Sequence, residues 1–273
     1  STRPDISAAA DYALRVIDVY DRNLSAHGIS WAGASVLEIG PGHDFAPQIL
    51  VVDRGAKVTV VDPFLSTWAP DYHPTLYREV RSLVGKSPAL DRVIEQGGYD
   101  GVITTIAESA ERMGVVDSDG SFDIVVSIAV LEHIANLDAA AREPRRVSKP
   151  GAIHYHQVDL RDHRNFDRPL EHLLMLRREF QEEARAANFE FGCQWRASEV
   201  IAMFKAAGFQ VVDTEISDTV ILHTLQTFGG ASDGDFSRHK DKWWRTEDLR
   251  ILGARIWLTV PHPSGTQSVP SDA

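Results

Sequence analysis

A single cysteine, Cys193, stands among 273 residues. The sequence therefore offers no internal disulfide and no cysteine-based zinc cluster, and a reducing cytoplasm is the expected location. Positive charge is also scarce: 28 Lys+Arg face 39 Asp+Glu, a formal net charge of −11. That balance excludes the basic stripe a nucleic-acid footprint needs, so RNA or DNA is not an expected partner. No apolar run approaches the ~20 residues that span a bilayer. No basic segment leads into an apolar core at the start, so no signal peptide is expected. Repeats and low-complexity tracts are absent as well. What remains is an ordinary globular composition, 43% hydrophobic and 25% charged, long enough to bury one large core or two small ones.

Ile6 to His27 carries Ala9, Ala13, Val16, Ile17 and Tyr20 at helical spacing, with Gly28 as a stop. Short apolar strands follow at Ser35–Ile39, Lys57–Val61, Gly101–Ile106, Phe122–Ser127 and Ala152–Val158. Helical patterns such as Ala46–Arg54 and Asn136–Val147 lie between them. Continuous apolar strands alternating with helices predict an α/β fold, a doubly wound parallel sheet covered on both faces. Ser198–Ala207 reads as a further helix, and Phe209–Ile216 and Ala254–Val260 as two final strands.

Three stretches exceed a minimal doubly wound domain. They are insertions at about 64–98, 159–197 and 217–250. The second contains Leu170, Leu173, Leu174, Leu176 and Phe180, which predict a helix over the carboxyl edge of the sheet. The third carries Trp243 and Trp244. The expected organisation is an N-terminal helical segment (1–30), one main domain (31–260) and a loose tail (261–273) rich in Pro, Ser and Gly.

The most specific motif is Val36 to Asp44, VLEIGPGHD. A buried strand runs into a tight glycine turn and then a helix. Gly40 and Gly42 lack a Cβ, so a ligand can approach the backbone closely, and the next helix offers free N–H groups. The spacing is neither GxGxxG nor the phosphate loop, because no Lys follows. Glu38 sits late in an apolar strand, where a carboxylate is costly without a partner. Asp62 ends the second strand about twenty residues beyond the turn, where doubly wound folds place an acid that grips ribose hydroxyls.

The series VLEIGPG, Asp62, FDIVVSIAVLEHI and KPGAIHYHQVDL resembles the class I S-adenosylmethionine-dependent methyltransferases. The resemblance covers residues 31 to 216 and a last strand near 254–260. It implies a seven-stranded Rossmann-like sheet with an antiparallel seventh strand, helical cap insertions, and S-adenosyl-L-methionine as cofactor. It further implies that Glu38 holds the cofactor's amino-acid end, that Gly40, Pro41 and Gly42 line it, and that Asp62 binds the ribose. The acid near the adenine, usually in a DA pair, is matched here by Glu108-Ser109. Ser127 is expected beside the cofactor.

Methyl transfer from a sulfonium is mainly a problem of alignment, but a hydroxyl acceptor also needs its proton removed. The candidates lie at the carboxyl ends of strands four and five, where open sheets bind ligands. His156, Asp159 and His163 are the expected catalytic residues. Leu131-Glu132-His133 reads either as a helix start or as a catalytic or metal contact. Asp159 and Asp162, with one or two His, suit a divalent cation, Mg²⁺ or Mn²⁺. Solvated loop polars are the plain reading of the same residues.

The insertions mix Arg, Asp, His and Trp, which suits sugars. HQVDLRDH and PLEHLLM are also similar to bacterial methyltransferases encoded with polysaccharide assembly. The expected activity is O-methylation of a small-molecule acceptor, a sugar or oligosaccharide first. N-methylation or O-methylation of an aromatic or polyketide-like metabolite is the alternative, favoured by a flat pocket of Phe64, Leu65, Trp68 and Tyr72. A polar pocket of Asp159, His163 and Arg164 would favour sugar. A non-catalytic adenosyl-binding module and an NAD-dependent oxidoreductase complete the alternatives, and a homodimer is the candidate assembly.

Overall fold

The computed structural model describes residues 4–114, 120–219 and 246–263. Helix α1 (Ile6–Ala26) starts where the Asp5 carboxylate caps the N–H groups of Ser7 and Ala8. Its Ala9, Ala13, Val16, Ile17, Tyr20 and Leu24 are buried, the face that the helical spacing predicts. Strand β1 (Ser35–Ile39) is buried along nearly its whole length, as a central strand must be. Helix α2 (Ala46–Asp53) and strand β2 (Lys57–Val61) follow.

The stretch between β2 and the third strand forms two helices, α3 (His73–Val84) and α4 (Pro88–Gln96). Leu76, Tyr77, Val80, Leu90 and Val93 bury them in the same core as α1 and α2. Strands β3 (Ile103–Ile106) and β4 (Phe122–Ile128), helix α5 (Leu137–Val147) and strand β5 (Ser148–Asp159) complete the parallel part. After β5 come a 3₁₀ turn (Glu171–Leu174) and helix α6 (Arg177–Ala186), anchored by Leu173, Phe180 and Ala184. Helix α7 (Ala197–Ala206), β6 (Gln210–Thr219) and β7 (Ile251–Thr259) close the fold. Trp243, Trp244 and the tail beyond 263 lie outside the described residues.

The sheet order is β3-β2-β1-β4-β5-β7-β6. Strands β1 to β5 are parallel, and β7 runs antiparallel between β5 and β6. This is the seven-stranded, Rossmann-like sheet of the class I methyltransferases. Period two splits it into two faces. Val58, Val60, Ile124, Val126, Tyr155 and Trp257 pack under α1 to α4, whereas Ala152, Val158, Ile256 and Leu258 pack under α7. The fully buried Arg196, ahead of α7, donates to the carbonyls of Leu160, Asp248 and Ile251. Those bonds tie the end of the second insertion to β7. Among the described residues no helix is long and apolar enough to cross a membrane.

Candidate active site

The order reversal between β1 and β4 opens a crevice at the carboxyl ends of the strands, where doubly wound sheets bind ligands. A cavity of about 610 Å³ lies there, within the usual size of a small-molecule site. One side is made by strand ends: Ile39 and Gly40, Val61 and Asp62, Ser109 and Val130. The other is made by His133 and Ile134 with Asn188, Phe189 and Glu190 of the insertion after β5.

Gly40 has φ +67° and takes β1 so close to the residues after β4 that an added Cβ would meet Val130 Cγ2 at 2.4 Å. Gly42, at φ +83°, faces open space, so the backbone there is free for contact with a ligand. Behind the turn, Glu38 is buried and accepts a hydrogen bond from the Tyr20 hydroxyl at 2.8 Å. Burial pushes its carboxyl up to about 7, against the pull of Gln48 and Tyr20. Neither Glu38, Pro41 nor Gly42 is a wall residue of the cavity itself. Asp62 lines it, and its Oδ1 accepts from the Phe64 N–H at 2.6 Å. Partial burial raises this carboxyl, and the Phe64 bond opposes the shift.

Two further expected cofactor residues, Glu108 and Ser127, are not wall residues of the cavity either. Glu108 does not line the cavity and lies 3.9 Å from Arg112, while Ser109 and Glu111 do line it. Ser127 is buried on the α7 face, its hydroxyl 2.8 Å from His156 Nδ1.

The expected general base His156 is part of that same buried layer. Its ring stacks on Phe204 of α7 at 5.1 Å, and burial drives its pKa down to about 3. Period two, which pairs it with Ser127 across β4 and β5, turns both side chains into the core. His156 thus packs the helix layer in place of reaching the cavity. His154 is buried likewise, against Phe209 and the Ser148 hydroxyl.

Asp159 and Asp162 do not meet as a cation site. Asp159 is clasped by Arg161, with bonds of 2.8 and 2.6 Å. Burial would raise its carboxyl, but the guanidinium outweighs that and holds it well below the usual range. Asp162 is buried against Arg164 at 2.8 Å, which lowers its carboxyl in the same way. Arg164 is engaged with Asp162 and Glu183.

The structure does bring His133, His163, Glu132 and Asp159 together, because β4 and β5 are adjacent and parallel. Their carboxyl ends deliver the 3₁₀ turn Leu131–His133 and the loop after Asp159 to one place. The His133 and His163 rings are 4.9 Å apart, and His163 Nε2 is 3.7 Å from Asp159 Oδ2. Glu132 Oε1 accepts from the Asp159 N–H at 3.2 Å. His133 Nδ1 is 2.8 Å from the carbonyl of Phe189. A carbonyl only accepts, so Nδ1 carries the proton and Nε2 keeps a lone pair. Burial lowers the His133 pKa, which keeps the ring neutral near pH 7.

Phe189 and its neighbour Asn188 have φ +60° and +49°, an uncommon conformation for two successive non-glycine residues. The sequence gives no sign of this turn: Ala187-Asn188-Phe189-Glu190 lacks glycine, and only the asparagine tolerates a left-handed backbone well. Of the proposed aromatic wall, Phe64 lines the cavity. Trp68 and Tyr72 pack instead around His73 and Tyr77.

A family model described as a methyltransferase domain matches residues 10–214. Solved structures share the fold. A protein from Galdieria sulphuraria assigned as a sarcosine dimethylglycine methyltransferase superposes with a TM-score of 0.52 at 14% identity, over 91% of this chain and 86% of that one. A protein from Bacillus halodurans assigned as a methyltransferase gives 0.50 at 17% identity, over 88% and 98%. No curated protein matches the sequence. With the glycine turn, the acid after β2 and the antiparallel β7 all in place, the chain belongs to the methyltransferase-domain family and is a class I S-adenosylmethionine-dependent methyltransferase.

Proposed function

We propose that this enzyme methylates a hydroxyl oxygen of a small polar acceptor, with a sugar or oligosaccharide as the first candidate. The observation that carries the reading is the neutral His133 imidazole at the cavity wall, its Nδ1 fixed by Phe189 and its Nε2 left as an acceptor. A hydroxyl needs such a group, because it is a weak nucleophile until its proton is drawn off. A neutral amine needs it less.

S-adenosylmethionine supplies the electrophilic methyl. The residues at and beside the cavity fit it: Gly40 and Asp62 line the cavity, and the backbone at Gly42, next along the turn, is open. In this reading Glu38 anchors the amino-acid end through the turn, Asp62 accepts from the ribose hydroxyls, and Ser109 with Glu111 borders the adenine side. The acceptor enters along the wall that His133 and the Asn188–Glu190 segment form together. His133 Nε2 would receive the proton of the acceptor hydroxyl when bound S-adenosylmethionine supplies the methyl group. Asp159 and His163 stand behind His133 and hold that wall polar.

The polar residues His133, Asn188 and Glu190 at this end support a saccharide. Phe64, 77% exposed at the cavity rim, supports an aromatic metabolite as the second reading. A methyl-donor assay against sugars, phenols and amines tests the proposal. A methyl ether on a sugar hydroxyl is the expected product, and N-methylation alone would overturn it.

A further inference from the structure

Glu132 is fully buried, and its carboxylate is only half satisfied. Oε1 accepts the Asp159 N–H, while Oε2 has no hydrogen-bond partner among the described residues. A buried carboxylate with an orphan oxygen is expensive unless a proton or a cation meets it. Burial pushes this group up to about 8, which records the same cost.

Two imidazoles stand beside it. One ligand atom each from Glu132, His133 and His163 lie within 4.8 Å of one another. The bond from His133 Nδ1 to Phe189 leaves Nε2 free, the arrangement of a metal-ligating histidine whose other nitrogen is oriented by a carbonyl. His163 Nε2 is buried without a hydrogen-bond partner, with the Asp159 carboxylate 3.7 Å away. Asp159 is committed to Arg161, so it is not counted among the ligands.

We infer that Glu132, His133 and His163 form a binding site for one divalent transition-metal ion at the acceptor end of the cavity. Two imidazoles and one carboxylate select Mn²⁺, Co²⁺ or Zn²⁺ over Mg²⁺, which prefers an all-oxygen shell. Three protein ligands leave coordination positions open, and His133 belongs to the cavity wall. The ion would supply Lewis acidity toward a hydroxyl group there. This rests on the hydroxyl reading and changes the part His133 plays in it: with the ion bound, Nε2 would hold the ion, and the acidified hydroxyl would give its proton to solvent water. The set differs from Asp159 and Asp162, because arginines neutralise both of those carboxylates.

The test is Co²⁺ titration of the full-length, chelator-treated protein, followed by visible absorption and calorimetry. One Co²⁺ per chain is expected. His163→Gln and Glu132→Gln are each expected to weaken it by at least about 10-fold, while S-adenosylhomocysteine affinity and circular dichroism stay unchanged. Asp162→Asn is expected to leave Co²⁺ affinity within about 2-fold. Absence of stoichiometric Co²⁺ binding, or equal affinity in the wild type and both ligand variants, would overturn the site. The acceptor reading fails separately. Methyl-ether formation that persists in chelator removes the metal's role and keeps the hydroxyl acceptor. Tight Co²⁺ binding without any hydroxyl substrate keeps the site and removes the acceptor.

Discussion

The Tyr20 hydroxyl donates to Glu38 Oε1 at 2.8 Å, joining the middle of α1 to the strand that carries the glycine turn. Both groups are buried, and burial raises the Tyr20 pKa far above its ordinary value. Tyr20 therefore stays a donor throughout the working range. Tyr20→Phe removes the bond and leaves Glu38 short of a partner. A loss of about 1–3 kcal/mol in urea unfolding is expected, with weaker S-adenosylhomocysteine binding by calorimetry. A variant as stable as the wild type would show that the bond contributes nothing net.

The same carboxylate sets a pH dependence. Its pKa rises from 4.5 to about 7 on folding, so between those values the native state binds more protons than the unfolded one. Stability then falls as pH climbs from 4.5 to 7 and levels off above, with a slope of at most about 1.4 kcal/mol per pH unit. Glu38→Gln cannot titrate. Unfolding curves of the variant and wild type at pH 5 and pH 8 should converge toward low pH, the variant gaining relative stability at pH 8. Parallel curves would show that Glu38 keeps its ordinary pKa.

Gly40 meets two separate demands, a left-handed φ and room for Val130. Gly40→Ala is expected to cost about 1–2 kcal/mol for the backbone conformation alone, and more for the contact at 2.4 Å. Adding Val130→Ala relieves the contact and leaves the backbone term. Thermal melts of the single and double variants separate the two: partial recovery is expected, and no recovery would assign the whole cost to φ.

Asp62→Ala tests the cofactor assignment by a change in affinity. Removal of a diol acceptor is expected to weaken S-adenosylhomocysteine about 10-fold or more, equal to about 1.4 kcal/mol. Calorimetry giving an unchanged Kd would remove Asp62 from the cofactor site.

His133 and His156 should separate in their effects. His133→Ala is expected to lower kcat by about 100-fold or more with little change in thermal stability. His156→Ala opens a void beside Phe204 and strands the Ser127 hydroxyl, so about 2 kcal/mol or more of stability is lost while kcat of the folded enzyme is retained. Steady-state kinetics beside chemical denaturation read both. The reverse pattern would return the general-base role to His156.

Much of this architecture is legible in the residues. Apolar runs such as Val58–Val61 and Ile124–Val126 mark central strands because both faces of a parallel sheet are covered. Glu38 and Asp62 are legible because an acid in an apolar strand, or closing one, needs a reason. The face of β5 is not. Period two puts His154 and His156 together, yet only the packing of α7 reveals that their side is core. Asn188, Phe189 and Glu190 are equally hidden, since their place in the cavity depends on how Phe180 and Leu173 seat the inserted chain. Strand ends obey local pattern, whereas an inserted loop obeys its distant anchors.

The peptide oxygen that sets the tautomer of His133 comes from a left-handed pair outside the sheet. In the proposed function, donor recognition falls to the strand ends, while the acceptor wall draws on the inserted chain. Replacing the 159–197 stretch with one of another shape would redirect what is methylated and leave the methyl source alone.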